Sequence, residues 1–143
     1  MMRLIASLIA TTAFIGAAQA ETYEIQMRNK GGTGTMVFEP AFLAIQPGDT
    51  VKFIAIDKGH DAETIEGMIP EGAEPFKGKA NEEIEVTFTV EGVYGIKCNP
   101  HYAMGMVALI EVGAPTNLEA AEAVVQKGKA KTRFPDLFAQ VTE

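Results

Sequence analysis

The sequence predicts a mainly β fold, a sandwich of short strands followed by two short helices at the C-terminal end. Three observations predict it. Apolar and polar residues alternate strictly from Glu83 to Glu91, Gly and Pro recur between short apolar runs, and helical spacing of apolar residues begins only after Pro115. Short strands punctuated by turn residues, with no helices between them, point to an antiparallel sandwich and not to a parallel sheet flanked by helices.

The chain opens with a segment that does not belong to that sandwich. Arg3 supplies a positive start, Leu4 to Ala18 runs 15 residues without a charge, and Ala18-Gln19-Ala20 offers the small residues a signal peptidase requires. The run is shorter than the roughly 20 residues with which a helix crosses a bilayer. Residues 1–20 therefore read as a cleaved signal peptide and residues 21–143 as one domain, exported to a bacterial periplasm and free of the membrane after cleavage.

The strands follow in order. Tyr23 to Met27, Met36 to Phe38 and Phe42 to Ile45 are short apolar runs, and Pro47-Gly48-Asp49 makes the turn before Thr50 to Ile56. In Glu83 to Glu91, Ile84, Val86, Phe88 and Val90 face one way while Glu83, Glu85, Thr87 and Thr89 face the other, the period of a strand with one wet face. Val93 to Cys98 and Gly105 to Val112 complete the set. From about residue 116 the period changes. Thr116 with Glu119 forms a capping-box pattern, Leu118, Ala121, Val124 and Val125 share a helical face, and Gly128 ends that helix. A second helix is expected near Pro135, burying Leu137, Phe138 and Val141. Both helices read as lids on the sandwich.

Composition bounds the chemistry. The 143 residues carry 47% apolar and 22% charged side chains, an ordinary globular balance. Twelve basic residues against 19 acidic ones give −7; without residues 1–20, which hold Arg3 and no acid, 11 against 19 give −8. That sign disfavours nucleic acid as a partner, since phosphate binding needs a basic face. A single cysteine excludes an intrachain disulfide and a four-cysteine metal site. In an oxidising compartment that thiol is expected to be buried, ligated or both.

The candidate chemistry lies in Cys98-Asn99-Pro100-His101-Tyr102-Ala103-Met104-Gly105-Met106, between two expected strands, and in Lys58-Gly59-His60-Asp61, just after another. His60 and His101 are the chain's two histidines. A thiolate, two imidazoles and a thioether form a soft donor set that suits copper, whereas calcium and magnesium take oxygen ligands. Two His and one Cys in a plane with a distant Met on the axis make a blue-copper electron-transfer site. At this level Met104 and Met106 both compete for the axial place.

Lys97 to Met106 resembles the copper loop of the pseudoazurins, within the cupredoxin superfamily. Met36-Val37-Phe38-Glu39-Pro40, Pro47-Gly48-Asp49-Thr50-Val51 and Met68-Ile69-Pro70-Glu71-Gly72-Ala73 resemble pseudoazurin segments in the same order, and the likeness covers nearly all of residues 21–143. The resemblance implies an eight-stranded Greek-key sandwich, one type 1 copper ion per chain held by His60, Cys98, His101 and Met106, and a periplasmic electron carrier that is monomeric and not an enzyme. It also implies partners in denitrification: a copper or haem nitrite reductase, nitrous oxide reductase, and respiratory electron donors upstream. Its electron port is the ring edge of His101, with Pro100, Tyr102, Ala103 and Met104 as the surrounding patch. Asp61 departs from the pattern, because the family carries Asn after its first histidine ligand. A carboxylate only accepts hydrogen bonds, where an amide also donates. A brace that depends on that donor would be weakened here. Ionised, Asp61 adds negative charge that favours Cu(II); protonated by burial, it does not.

Charge placement refines the partner expectation. Lys58 lies two residues before His60, and Lys97 points outward if Cys98 points inward. Lys30 and Lys77 match basic positions around the copper face of the family, so a basic ring on an acidic molecule, docking acidic partners near His101, is expected. Two other readings compete. Cys98 and His101 could act as nucleophile and base of a thiol hydrolase, but no oxyanion motif or orienting third group accompanies them. A periplasmic copper storage or delivery protein would usually offer exchangeable Met- or Cys-rich sites, and here one thiolate sits in a stiff frame.

Overall fold

The computed structural model describes residue 16 and residues 18–142; the expected signal peptide falls largely outside the described residues. Eight strands are seen among them: β1 (Thr22–Gly31), β2 (Gly34–Glu39), β3 (Phe42–Ile45), β4 (Thr50–Ala55), β5 (Glu63–Thr64), β6 (Ile84–Thr87), β7 (Gly92–Lys97) and β8 (Val107–Val112). A 3-10 segment spans Asn99–Met104, and helices α1 (Leu118–Glu122) and α2 (Ala130–Phe138) follow. The strands form two four-stranded sheets, ordered β2-β1-β4-β6 and β3-β8-β7-β5.

The sandwich is not wholly antiparallel. β1 pairs β4 in parallel, with Thr22 opposite Thr50 and Met27 opposite Ala55, and β3 pairs β8 in parallel. Parallel neighbours need a crossover. After the β1–β2 hairpin the chain crosses to the other sheet as β3 and returns as β4, so the crossover is a strand of the opposing layer. Side-chain alternation reports which face is buried and carries nothing about ladder direction.

The alternation itself is obeyed. Glu83, Glu85, Thr87 and Thr89 are exposed, and Phe88 is buried. Regular pairing stops at Thr87, however, because Phe88 turns its backbone to the Gly48–Asp49 turn, accepting from Gly48 N–H at 2.7 Å and donating to Asp49 O at 2.9 Å. That turn is locked by the buried Asp49 carboxylate, which accepts Gln46 N–H and Glu21 N–H, each at 2.8 Å. Between the sheets an aromatic series runs Phe38–Phe53–Phe76–Phe88–Tyr94 with centroid separations of 4.9–6.2 Å, mostly edge to face, each contact adding about 0.5–1.5 kcal/mol beyond burial.

All six residues of β8 are buried, because α2 covers the face that does not meet the other sheet. Met68, Val93, Leu109, Phe134 and Leu137 form the core beneath the helices. The helices differ from expectation in detail. α1 is capped at Asn117, not Thr116, and the Asn117 side chain bonds both N–H (2.7 Å) and C=O (2.9 Å) of Val93. Thr116 Oγ1 donates to Glu91 O instead. α1 ends at Glu122, so Val125 lies beyond it and is 86% exposed. α2 begins five residues before Pro135 and carries that exposed proline inside; Leu137 is buried as expected, and Phe138 and Val141 half-buried.

Candidate metal centre

β4 and β7 bring the two candidate segments to one end of the sandwich. The chain leaves β4 at Ala55, turns through Gly59 with φ +91°, and delivers His60 into the interior, 0% exposed. β7 ends at Lys97, and alternation sends the next side chain, Cys98, inward, also 0% exposed. Pro100 then opens the 3-10 turn, which breaks helical geometry at His101 (φ −116°, ψ 16°) and closes at Gly105 in the left-handed region (φ +86°). The loop is shut at its base by Cys98 N–H to Met106 O at 3.0 Å and Met106 N–H to His101 O at 3.2 Å.

Three donor atoms converge there. Cys98 Sγ lies 3.8 Å from His60 Nδ1 and 3.4 Å from His101 Nδ1, and the two Nδ1 atoms are 3.2 Å apart. The centre of a circle through those three atoms lies about 2.0 Å from each, which matches a metal–nitrogen bond of about 2.0–2.1 Å and falls a few tenths of an ångström short of a metal–sulfur bond of about 2.3 Å. His60 Nε2 lies 2.9 Å from Asn29 Oδ1. An amide oxygen only accepts, so Nε2 carries the proton and Nδ1 presents its lone pair to the centre. Burial lowers the His60 pKa, the nearby His101 ring lowers it further, and Asp57 and Asp61 oppose the shift, which keeps the ring neutral and able to ligate. Burial pushes the Cys98 thiol up to about 11; ligation by this sulfur therefore includes loss of its proton. Two imidazole nitrogens and a buried soft sulfur fit copper.

Met106 is 0% exposed and follows directly on the loop, whereas Met104 is 45% exposed. Pro100 and Ala103 are exposed beside it, and His101 and Tyr102 are half-buried, so the loop presents an apolar rim around one edge of the cluster.

Asp61 resolves into an acceptor. Its Oδ1 takes the N–H of Asn99 at 2.6 Å, tying the two candidate segments together without any donor from residue 61. The lysines differ among themselves. Lys30, Lys58 and Lys77 are exposed. Lys97 does not stand free: its side chain is 23% exposed, its Nζ sits 3.2 Å from Glu63 Oε1, and it lies 5.2 Å from the Tyr102 ring centroid. Glu63 Oε2 also lies 3.8 Å from Lys77 Nζ. Asn29, Glu63 and Gln126 escaped the sequence reading, since polar residues scattered over β1, β5 and a helix linker carry no spacing signal.

Residues 25–113 match the family of copper binding proteins of the plastocyanin/azurin type. Over 139 residues the chain is 47% identical to a pseudoazurin of Paracoccus pantotrophus, covering 96% of each. The chain belongs to the pseudoazurins. Its backbone superposes on the pseudoazurin of Methylobacterium extorquens AM1 with a TM-score of 0.82 at 48% identity, covering 85% of this chain and 99% of that one. A pseudoazurin from Hyphomicrobium denitrificans gives the same score at 43% identity, with the same coverage. Pseudoazurins are electron carriers and not enzymes, and the His-Cys-His cluster of this chain is a site for a single type 1 copper ion. The chain is accordingly a periplasmic electron-transfer protein that works with redox partners.

Proposed function

We propose that His60, Cys98, His101 and Met106 hold one copper ion and that electrons cross the exposed rim at His101 to and from redox enzymes of denitrification, a copper or haem nitrite reductase first among them. The observation that carries this reading is the triangle of Cys98 Sγ and two Nδ1 atoms, with sides of 3.2–3.8 Å in a buried pocket. Bound there, copper would supply a one-electron couple. The protein's part is to hold a donor geometry suited to both oxidation states, so that little rearranges as the electron moves. Asn29 fixes the His60 ring, and the Asp61–Asn99 bond keeps the two segments at constant separation. The buried Met106, against the exposed Met104, supports Met106 as the weak axial donor. A sandwich beginning at Thr22, with residues 18–20 exposed and outside any strand, supports removal of residues 1–20 on export. The released chain is proposed to act as a monomer.

Docking is proposed on the rim of Pro100, Ala103 and Met104, steered by Lys30, Lys58 and Lys77 toward acidic faces, with Lys97 largely offset by Glu63. Small, charge-steered contacts suit brief encounters. Two measurements test these proposals. The copper-loaded chain should be intensely coloured, with the EPR signature of a Cu(II)–thiolate; a colourless product defeats the ligand set. Reversing Lys30 and Lys58 to Glu should slow reaction with an acidic nitrite reductase at low salt and leave the colour intact; an unchanged rate defeats the steering.

A further inference from the structure

We propose that the linker between α1 and α2, residues 123–129, is a positioning brace for the ligand loop, with Gln126 as its key residue. The brace fixes Tyr102 and Ala103, which lie between His101 and Met106, and through them the donor geometry; it deepens the copper-centre reading above and rests on it.

The linker is exposed at Ala123, Val125, Lys127, Gly128 and Lys129, yet Gln126 is only 9% exposed. A polar side chain turned inward from an exposed strip needs partners, and Gln126 has them on both atoms. Its Oε1 accepts the Tyr102 hydroxyl. Its Nε2 points at Met68 Sδ, 3.1 Å away, and at Val124 O, 3.4 Å away. Met68 is fully buried beneath the helices, so the amide links the loop to the second core.

Two backbone features grip the neighbouring residue. Lys129 N–H donates to Ala103 O at 2.9 Å. Gly128 has φ +51°, and a Cβ there would run into the Ala103 carbonyl, so the linker approaches this closely only with glycine. The loop has need of such help. Short 3-10 turns bond poorly, and this one is broken at His101. The same phenol that Gln126 holds by its hydroxyl lies 5.2 Å from Lys97 Nζ across its face. Tyr102 is therefore fixed at two points, one from the helix linker and one from β7.

The experiment uses the full processed chain with Gln126→Leu, Tyr102→Phe, the two combined, and Gln126→Glu. Visible and EPR spectra and the reduction potential are read on the copper-loaded forms, and amide exchange at Lys129 on the metal-free forms. Gln126→Leu and Tyr102→Phe should each alter the balance of the charge-transfer bands and move the potential in the same direction. The double variant should move no further than the larger single one, as expected for two halves of one contact. Gln126→Glu, which keeps the acceptor for Tyr102, should return the spectrum toward that of the parent. Lys129 exchange should quicken about tenfold in Gln126→Leu, as local opening becomes easier. A parent-like spectrum and potential in Gln126→Leu, even with a lowered melting temperature, would reduce the contact to plain packing and overturn the proposal; additive shifts in the double variant would also overturn it. A colourless parent protein would instead defeat the copper reading, and unchanged Lys129 exchange would then overturn the brace by itself.

Discussion

The two segments that meet at the metal centre are held in opposite ways. Around His60 most of the work is done by side chains: Asn81 Oδ1 accepts Gly59 N–H at 2.7 Å while its own backbone N–H donates to His60 O at 2.9 Å, Asn29 Oδ1 accepts from His60 Nε2 at 2.9 Å, and the segment's own Asp61 accepts Asn99 N–H at 2.6 Å. Around Cys98 the backbone closes on itself, through His101 N–H to Cys98 O, Gly105 N–H to Tyr102 O and Cys98 N–H to Met106 O, at 3.2, 2.9 and 3.0 Å. A segment held by single side chains is sensitive to single substitutions. One held by its own backbone tolerates them, provided its turn residues and the Tyr102 anchor are kept. The Asp61–Asn99 bond joins the two kinds, with a side chain on one end and a backbone amide on the other.

That junction should give the largest effect. Asp61→Ala removes the acceptor and leaves the part-buried Asn99 N–H without its partner. A hydrogen bond to a charged group contributes about 1.5–3 kcal/mol, so urea unfolding of the metal-free chain should show a loss in that range. Asp61→Asn keeps an acceptor in the same place and should lose less than half as much. Equal losses in the two variants would mean that residue 61 acts by charge and not by this bond.

Asn29 should come next, and with a different signature. Its amide touches His60 on the ring atom that faces away from the cluster. Partners of this kind are worth about 10–100-fold in metal affinity. Asn29→Ala should lower copper affinity by that factor in competition with a chelator. Asn29 is exposed, so the metal-free fold should lose under about 1 kcal/mol. A fall in fold stability as large as that of Asp61→Ala would place Asn29 with the structural contacts.

How much of this was legible in the sequence follows the same division. Cys98, His60 and His101 stood out because thiol and imidazole donors are scarce in this chain, one thiol and two imidazoles. The inward turn of Cys98 followed from strand alternation, and the exposed rim from the family resemblance. Strand phase was readable in Glu83–Thr89, but the two-residue β5 was not, because Glu63 and Thr64 become a strand only by pairing with Lys97 and Ile96. Thr116 looked like a cap, yet Asn117 occupies that position while its side chain serves Val93 across the chain. Val125 fitted a helical face that the chain leaves three residues earlier. Asn29 and Gln126 are the sharpest misses. Asn29 acts on His60, 31 residues away in sequence, and Gln126 on Tyr102 and Met68, 24 and 58 residues away, and periodicity has no means to report such contacts.

The smallest expected effect is at the other end of the junction. Asn99 gives Asp61 its backbone N–H, and its own side chain is exposed on the first residue of the 3-10 turn. Asn99→Ala keeps that N–H, the Pro100 that follows and the Gly105 that closes the turn. Stability should therefore stay within about 0.5 kcal/mol of the parent, as for surface substitutions generally, and the colour of the copper-loaded form should not change. Asp61→Ala and Asn99→Ala thus probe one hydrogen bond from its two ends, with losses differing several-fold. Comparable losses would show that the Asn99 side chain helps to hold the loop, and the contrast between a side-chain-held and a backbone-held segment would fail at the point where the two meet.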